Sequence, residues 1–296
     1  ARSPWTALGA YFAKVTPRTP ADVVHNTFYL PHGLATHRSA KRIVTVHDMI
    51  PELMPRTRRR LDFLTLKQRY VESADQVICV SESTKNDLLE IYGGIEAPIS
   101  VVHHGVDSIF RPGHHKPAYL PESYVVFVGN RGGYKDASVL LAAFASLCSE
   151  FSSLNLLFVG GGQLTRHERD RISALGLRDR VIQMSLGDRD MPAAYEYAEM
   201  CVFPSRFEGF GLPALEAMAC GCPTILANAT SLPEIGGDAA AYFSPTDSNE
   251  LAEQMRALLE EPTHRSELVE CGLARAKEFT WAKAASRTAQ AYRSTI

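Results

Sequence analysis

The 296-residue chain has a formal net charge of −2, with 31 Lys and Arg against 33 Asp and Glu. That balance excludes a nucleic-acid binder relying on a general basic field, and no apolar run approaches the roughly 20 residues of a membrane-spanning helix. The six cysteines (Cys79, Cys148, Cys201, Cys220, Cys222, Cys271) show neither the density of a disulfide scaffold nor paired metal-ligand spacing.

The opening residues lack a signal-peptide pattern and carry a short helix over Trp5–Val15, followed by prolines at 17 and 20. Apolar strands then alternate with helices. Strands are expected at 22–26, 43–48, 76–81 and 99–103, with helices at 57–73 and 84–92, the second opened by Ser83 and ended by Gly93-Gly94. Such alternation implies a parallel sheet covered on both faces. From Gly105 to Ser123 periodicity stops and Pro112, Pro117 and Pro121 appear, as in an inter-domain linker.

A second alternation follows, with strands at 124–128, 154–159, 181–184, 200–203, 224–226 and 241–243. Helices are expected near 137–149, 166–175, 191–198, 212–220, 247–260, 263–278 and 281–294. The fold class is therefore α/β, with two Rossmann-like doubly wound domains facing across a cleft at the carboxyl ends of their strands. The first domain shows about four strands where a complete one has six or so, so its first strands are expected to lie upstream of this chain.

Polar clusters fall at the strand ends. Around Ser205–Pro223 a strand passes through a glycine-containing loop into a helix, leaving backbone N–H groups at the positive end of the helix dipole. Glu208 and Glu216 border that entrance. Ionised carboxylates only accept hydrogen bonds, so they suit hydroxyls. The implied ligand has a phosphate in the middle and hydroxyl-bearing groups on either side. Gly129–Lys135 offers Arg131, Lys135 and exposed backbone, which suit a diphosphate; alone it would equally be a solvated loop, and its pairing with the 205–223 entrance favours the ligand. Its glycine spacing is not a dinucleotide fingerprint, which disfavours a nicotinamide enzyme.

Other clusters stay open. The backbone around Met184 could pair with a flat base edge, and His47 either orients a reacting sugar or is held by local hydrogen bonds. Arg56–Arg60 is the one dense basic run; a solvated face is favoured over contact with an anionic membrane surface. Cys220-Gly221-Cys222 reads as helix-end packing rather than a metal or redox pair. No nucleophilic triad and no metal-ligand cluster stands out, so the chemistry is positional and electrostatic.

The segments "PSRFEGFGLPALEAMACGCPTI", "SLPEIGGDAAAYFSPTD" and "GLARAKEFTWAKAA" resemble the retaining glycosyltransferases of family 4, which have the GT-B fold. "TVHDMIPELMP", "ADQVICVSESTKNDL", "VVHHGVD" and "FVGNRGGYKD" match the same family in the same order, and the run Ser231-Leu232-Pro233-Glu234 is most similar to its bacterial polysaccharide mannosyltransferase branch. The resemblance implies that Glu208 holds donor-sugar hydroxyls and Glu216 ribose hydroxyls. It also implies that Gly209, Phe210, Gly211 and Leu212 present backbone N–H groups, that Lys135 neutralises the leaving diphosphate, and that His47 approaches the sugar. The family places an arginine directly after the loop glycine, where this chain has Asn130, with Arg131 one later.

On this resemblance, residues 1–105 form the acceptor-side domain, 106–123 the linker and 124–280 the donor-binding domain, with a helix over 281–296 crossing back to the first. The expected partners are a nucleotide-sugar donor, GDP-mannose before a UDP-sugar, and a glycan or lipid-linked acceptor. No cofactor, no metal and no nucleic acid is expected, and the location implied is cytoplasmic, at or near the inner face of the plasma membrane. The rival expectations are a phosphorylase or epimerase on the same fold, and a non-catalytic nucleotide-sugar-binding protein.

Overall fold

A computed structural model describes residues 21–30, 33–35, 39–54 and 58–296, with side chains from 63 onward in the last stretch. The helix expected over 5–15 and the side chains of Arg56–Arg60 lie outside the described residues. The chain divides into two compact units, one made of residues 1–103 and 282–296, the other of residues 104–281.

The described part of the first unit holds the strands β1 (Val23–Asn26), β2 (Lys41–Val46), β3 (Gln76–Cys79) and β4 (Ile99–Val101), in the order β1-β2-β3-β4 and parallel throughout. Its helices are α1 (Ile50–Leu53), α2 (Arg58–Glu72) and α3 (Glu82–Tyr92). Helix α3 starts earlier than the Ser83 expectation. Ser81 is extended and its side chain accepts the Thr84 N–H, so the cap falls on the first serine of the pair. Beneath α2 lies a buried pair, Lys67 Nζ to Glu52 Oε2 at 3.1 Å, and Lys67 also donates to the Asp48 carbonyl.

The second unit opens with the stretch 106–123, which packs onto it: the Glu196 carboxylate accepts the N–H groups of Gly113 and His114, and the Phe110 ring meets that of Tyr195. Its strands are β5 (Tyr124–Val128), β6 (Asn155–Val159), β7 (Val181–Met184), β8 (Met200–Phe203), β9 (Thr224–Ala227) and β10 (Ala241–Phe243). They alternate with α4 (Ala137–Leu147), α5 (Arg166–Ala174), α6 (Met191–Glu196), α7 (Leu212–Ala219) and α8 (Leu232–Gly236), followed by α9 (Ser248–Glu260) and α10 (Pro262–Ala276). Strands β8 and β9 are buried along their whole length, as expected of a parallel sheet with helices on both faces.

The strand order β10-β9-β8-β5-β6-β7 fixes where a ligand can sit. From β5 the chain winds outward through β6 and β7, then returns to place β8 on the other side of β5. The carboxyl ends of β5 and β8 are thus the point where the winding reverses, and the connections leaving them diverge to open a crevice.

The last helix, α11 (Trp281–Thr295), packs Ala284 and Ala291 against Ile43, Ile78 and Val102 of the first unit.

Candidate active site

The two loops at the reversal point are those singled out by their composition. Residues 129–136 leave β5 and residues 204–211 leave β8, and they are bonded to each other. Lys135 Nζ lies 2.5 Å from Glu208 Oε1, with the side chains only 15% and 10% exposed. The ammonium also stands 4.7 Å from the centre of the Phe203 ring. The Arg206 N–H donates to the Tyr134 carbonyl at 2.8 Å, and the Arg206 guanidinium pairs with Asp136 at 3.3 Å without hydrogen-bond alignment.

Helix α7 begins at this point. Its cap, Gly211, has φ 104°, the left-handed region, and a Cβ there would lie 2.9 Å from Leu232 Cδ2, so glycine is needed for both backbone and space. Pro213 occupies the first turn, where its missing N–H removes no helical bond. Phe210 anchors the loop: it is 5% exposed, with its ring 5.1 Å from His104 and 6.0 Å from Phe279. Behind the loop, Thr230 Oγ1 accepts the Glu208 N–H at 2.9 Å, and the Ser231 hydroxyl lies 3.0 Å from the Glu208 carbonyl and 2.9 Å from that of Phe210.

Glu216 lies one turn further into α7 and is held from below by Tyr195, whose fully buried hydroxyl donates to Oε2 at 3.1 Å. Burial raises the Glu216 carboxyl above the usual carboxylate range; the Tyr195 hydrogen bond works against that and the nearby charge of Asp188 adds to it.

The structure thus brings Lys135, Glu208, Gly209, Phe210, Gly211, Leu212 and Glu216 to one strand-end region. The neighbouring Asn130 and Arg131 have other surroundings. Asn130 is exposed and lines a cavity of about 450 Å3 with Ser138, His167 and Arg171. The Arg131 guanidinium is 7% exposed, bonded to Glu168 at 2.6 Å and to the carbonyls of Gly160, Gly161, Gly162 and Gln163. Gly161 is the centre of that cradle: its φ is 67°, and a Cβ would lie 2.7 Å from Arg131 Nη1. Met184 ends β7 with its carbonyl accepting the Gly160 N–H at 2.9 Å. His47 belongs to the first unit, exposed just after β2, with Nε2 3.0 Å from the Thr27 carbonyl. Thr230 and Tyr195, which hold the two glutamates, carry no sequence signal of their own. Among the described residues no group of three or more His, Cys, Asp or Glu is arranged to hold a metal ion, and no helix is long and apolar enough to cross a membrane.

Comparison with known proteins places the chain that carries this helix entrance and its two glutamates, eight residues apart, in a family. The profile of "Glycosyl transferases group 1" covers residues 114–274, and that of "Glycosyltransferase Family 4" covers residues 2–109. This chain belongs to glycosyltransferase family 4. The glycosyltransferase is 31% identical over 286 residues to an Escherichia coli O-antigen chain mannosyltransferase B, covering 90% of this chain and 72% of that protein. It is 29% identical over 295 residues to an MMP alpha-(1->4)-mannosyltransferase of Mycolicibacterium hassiacum, covering 93% and 71%. Among solved structures, sucrose-phosphate synthase from Thermosynechococcus elongatus superposes with a TM-score of 0.80 at 26% identity, covering 98% of this chain and 76% of that one. The Anabaena HepE protein in complex with UDP and glucose superposes with a TM-score of 0.83 at 18% identity, covering 97% and 81%, a likeness of fold. The expected GT-B fold, with Rossmann-like parallel sheets of four and six strands, is borne out.

Proposed function

We propose that this glycosyltransferase is a retaining mannosyltransferase that takes its sugar from a nucleoside-diphosphate donor, GDP-mannose before a UDP-sugar. The acceptor in this proposal is a hydroxyl of a glycan or lipid-linked glycan in cell-surface polysaccharide synthesis. The observation that carries it is the Lys135–Glu208 pair beside the N-terminus of α7, a cation for the diphosphate next to a carboxylate for the sugar hydroxyls. Mannose is favoured because the relatives quoted from Escherichia coli and Mycolicibacterium hassiacum are named as mannosyltransferases.

Glu216 accepts hydrogen bonds from the ribose hydroxyls, the backbone near Met184 meets the base, and the N–H groups of Gly209–Leu212 face sugar and phosphate. Asn130 keeps a place beside the diphosphate, with Arg131 acting through its loop. His47 is the first unit's candidate for the sugar. In the transfer step the bond from the sugar C1 to the diphosphate oxygen breaks, and a bond from C1 to the acceptor oxygen forms on the same face. The acceptor proton passes to the departing diphosphate, whose charge Lys135 and the α7 entrance stabilise. This arrangement supplies the positive charge without a divalent metal.

A melting-temperature panel with GDP, UDP, ADP and their mannose, glucose and N-acetylglucosamine conjugates tests the donor, since a ligand bound only by the native state raises the melting point. GDP and GDP-mannose are expected to give the largest shifts, and Glu208→Ala to stop transfer in EDTA-containing buffer while the protein stays folded. Transfer that requires added divalent metal, or Glu208→Ala protein that transfers normally, would overturn the proposal.

A further inference from the structure

Thr230 has φ 48°, in the left-handed region. For a β-branched residue that is an outlier, because its branched side chain crowds the backbone there. Such conformations persist only where the surroundings impose them, and they gather at sites where position matters. Thr230 follows β9 and sits directly behind the loop that carries Glu208. Its Oγ1 accepts the Glu208 N–H at 2.9 Å, and the next residue, Ser231, fully buried, places its hydroxyl 3.0 Å from the Glu208 carbonyl and 2.9 Å from the Phe210 carbonyl. The third in line, Leu232, fills the space that any side chain at Gly211 would need. One strained turn therefore grips both main-chain polar groups of Glu208 and braces the cap of α7.

We propose that Thr230 and Ser231 are positioning residues for the sugar-binding carboxylate: their grip on the Glu208 main chain fixes where that side chain meets the donor sugar. This rests on Glu208 as the sugar-holding group in the function proposed above. The grip explains why the strain is kept. A glycine at 230 would relieve the backbone but release the Glu208 N–H, and with it the rotational setting of the side chain. The Thr230 and Ser231 hydroxyls bond to Glu208 and Phe210, whereas Glu216 is held by Tyr195, so the ribose end of the nucleotide is expected to be held independently of the two hydroxyls.

The test compares affinities for GDP and GDP-mannose, or for UDP and UDP-glucose if the wild-type protein binds that pair. Thr230→Gly is expected to melt at or above the wild-type temperature, to bind the nucleoside diphosphate within about twofold of wild type, and to bind the sugar conjugate about tenfold more weakly. Thr230→Ser, which keeps the hydroxyl, restores conjugate affinity, and Ser231→Ala repeats the selective loss. Conjugate affinity that is unchanged in Thr230→Gly, or conjugate and diphosphate affinities that fall together with the melting temperature, would overturn the proposal while leaving the role of Glu208 intact. A conjugate affinity in Glu208→Gln that rises by the same factor as its diphosphate affinity would overturn the underlying role of Glu208 itself.

Discussion

Lys135 Nζ and Glu208 Oε1 meet at 2.5 Å across the reversal point of the sheet, joining residues 73 positions apart. Each is thereby the other's counter-ion. In the function proposed above, a diphosphate that takes Lys135 parts it from Glu208 and leaves the carboxylate to the sugar hydroxyls.

A sign follows for bare nucleotide. Glu208→Gln removes a carboxylate that competes for Lys135 and repels phosphate, so GDP affinity should rise, by about three- to tenfold for a partly screened charge. Transfer should be lost in the same variant. Lys135→Met does the reverse: it leaves Glu208 without its cation at a largely buried position, lowering stability by about 3 kcal/mol and weakening GDP. Calorimetric titration and denaturant melts of the two variants read both effects.

Glu216 and Tyr195 give a pH dependence with a defined direction. The folded carboxyl titrates above its unfolded value, chiefly because it is buried. The native state therefore holds this proton more tightly than the unfolded chain, and Glu216 lowers stability as pH rises through its folded pKa. At neutral pH Glu216→Gln should be neutral or stabilising, since an amide carbonyl still accepts from Tyr195. Nucleotide affinity should fall about tenfold in that variant, as a hydrogen bond to a charged group is lost. In wild type, affinity should decline as pH drops through the Glu216 pKa. Tyr195→Phe removes the one interaction that lowers that pKa, so its midpoint moves to higher pH. Binding isotherms from pH 5 to 8 measure the shift.

The difference between Lys135 and Arg131 shows how much of the site was legible in the chain itself. Strand runs such as Tyr124–Val128 announce themselves because strands buried on both faces are apolar throughout. The loop–helix entrance at 205–223 was legible for a similar reason, since glycines, a proline at the first turn and flanking acids each have a local cause. Arg131 looked like a second phosphate cation because its charge was visible and its partners were not. The carbonyls that hold it come from Gly160–Gln163, some 29 to 32 residues away, and a glycine run has no pattern that marks it as an arginine cradle. The left-handed Thr230 and the Tyr195 hydroxyl under Glu216 are equally silent, being properties of tertiary packing. Strand order is of the same kind: which strand returns beside β5 is not written in any strand's composition.

Arg131 accordingly makes a structural prediction. Its guanidinium spans four carbonyls and a carboxylate at 7% exposure, a geometry that needs a planar fork of donors. Arg131→Ala should lower stability by about 3 kcal/mol or more, leaving Glu168 and the glycine carbonyls unpaired. Arg131→Lys should recover little of that loss, because a single ammonium cannot reach the same set. Direct phosphate contact would instead give weakened GDP binding at unchanged stability, so parallel melts and titrations separate the two roles.

The C-terminal helix supplies the last prediction. His25 in β1 bonds through Nδ1 to the Tyr292 hydroxyl of α11 and through Nε2 to Thr45 Oγ1, both at 2.7 Å. Burial lowers the His25 pKa, and the nearby His47 adds to the effect. Both partners are hydroxyls that can turn to accept, so protonation does not break the bonds; its cost is a charge placed in a poorly solvated position. The unfolded chain takes up this proton near pH 6.5 and the folded protein only at lower pH. Stability is therefore complete above about pH 6.5 and is lost as pH falls from there through the folded pKa. His25→Gln should flatten this dependence between pH 7.5 and 5. Tyr292→Phe should lower stability by about 1 kcal/mol at pH 7.5 by leaving a histidine nitrogen unpaired. It should also speed amide exchange in α11 ahead of the first sheet, and exchange that rises uniformly across both would remove Tyr292 as the tether.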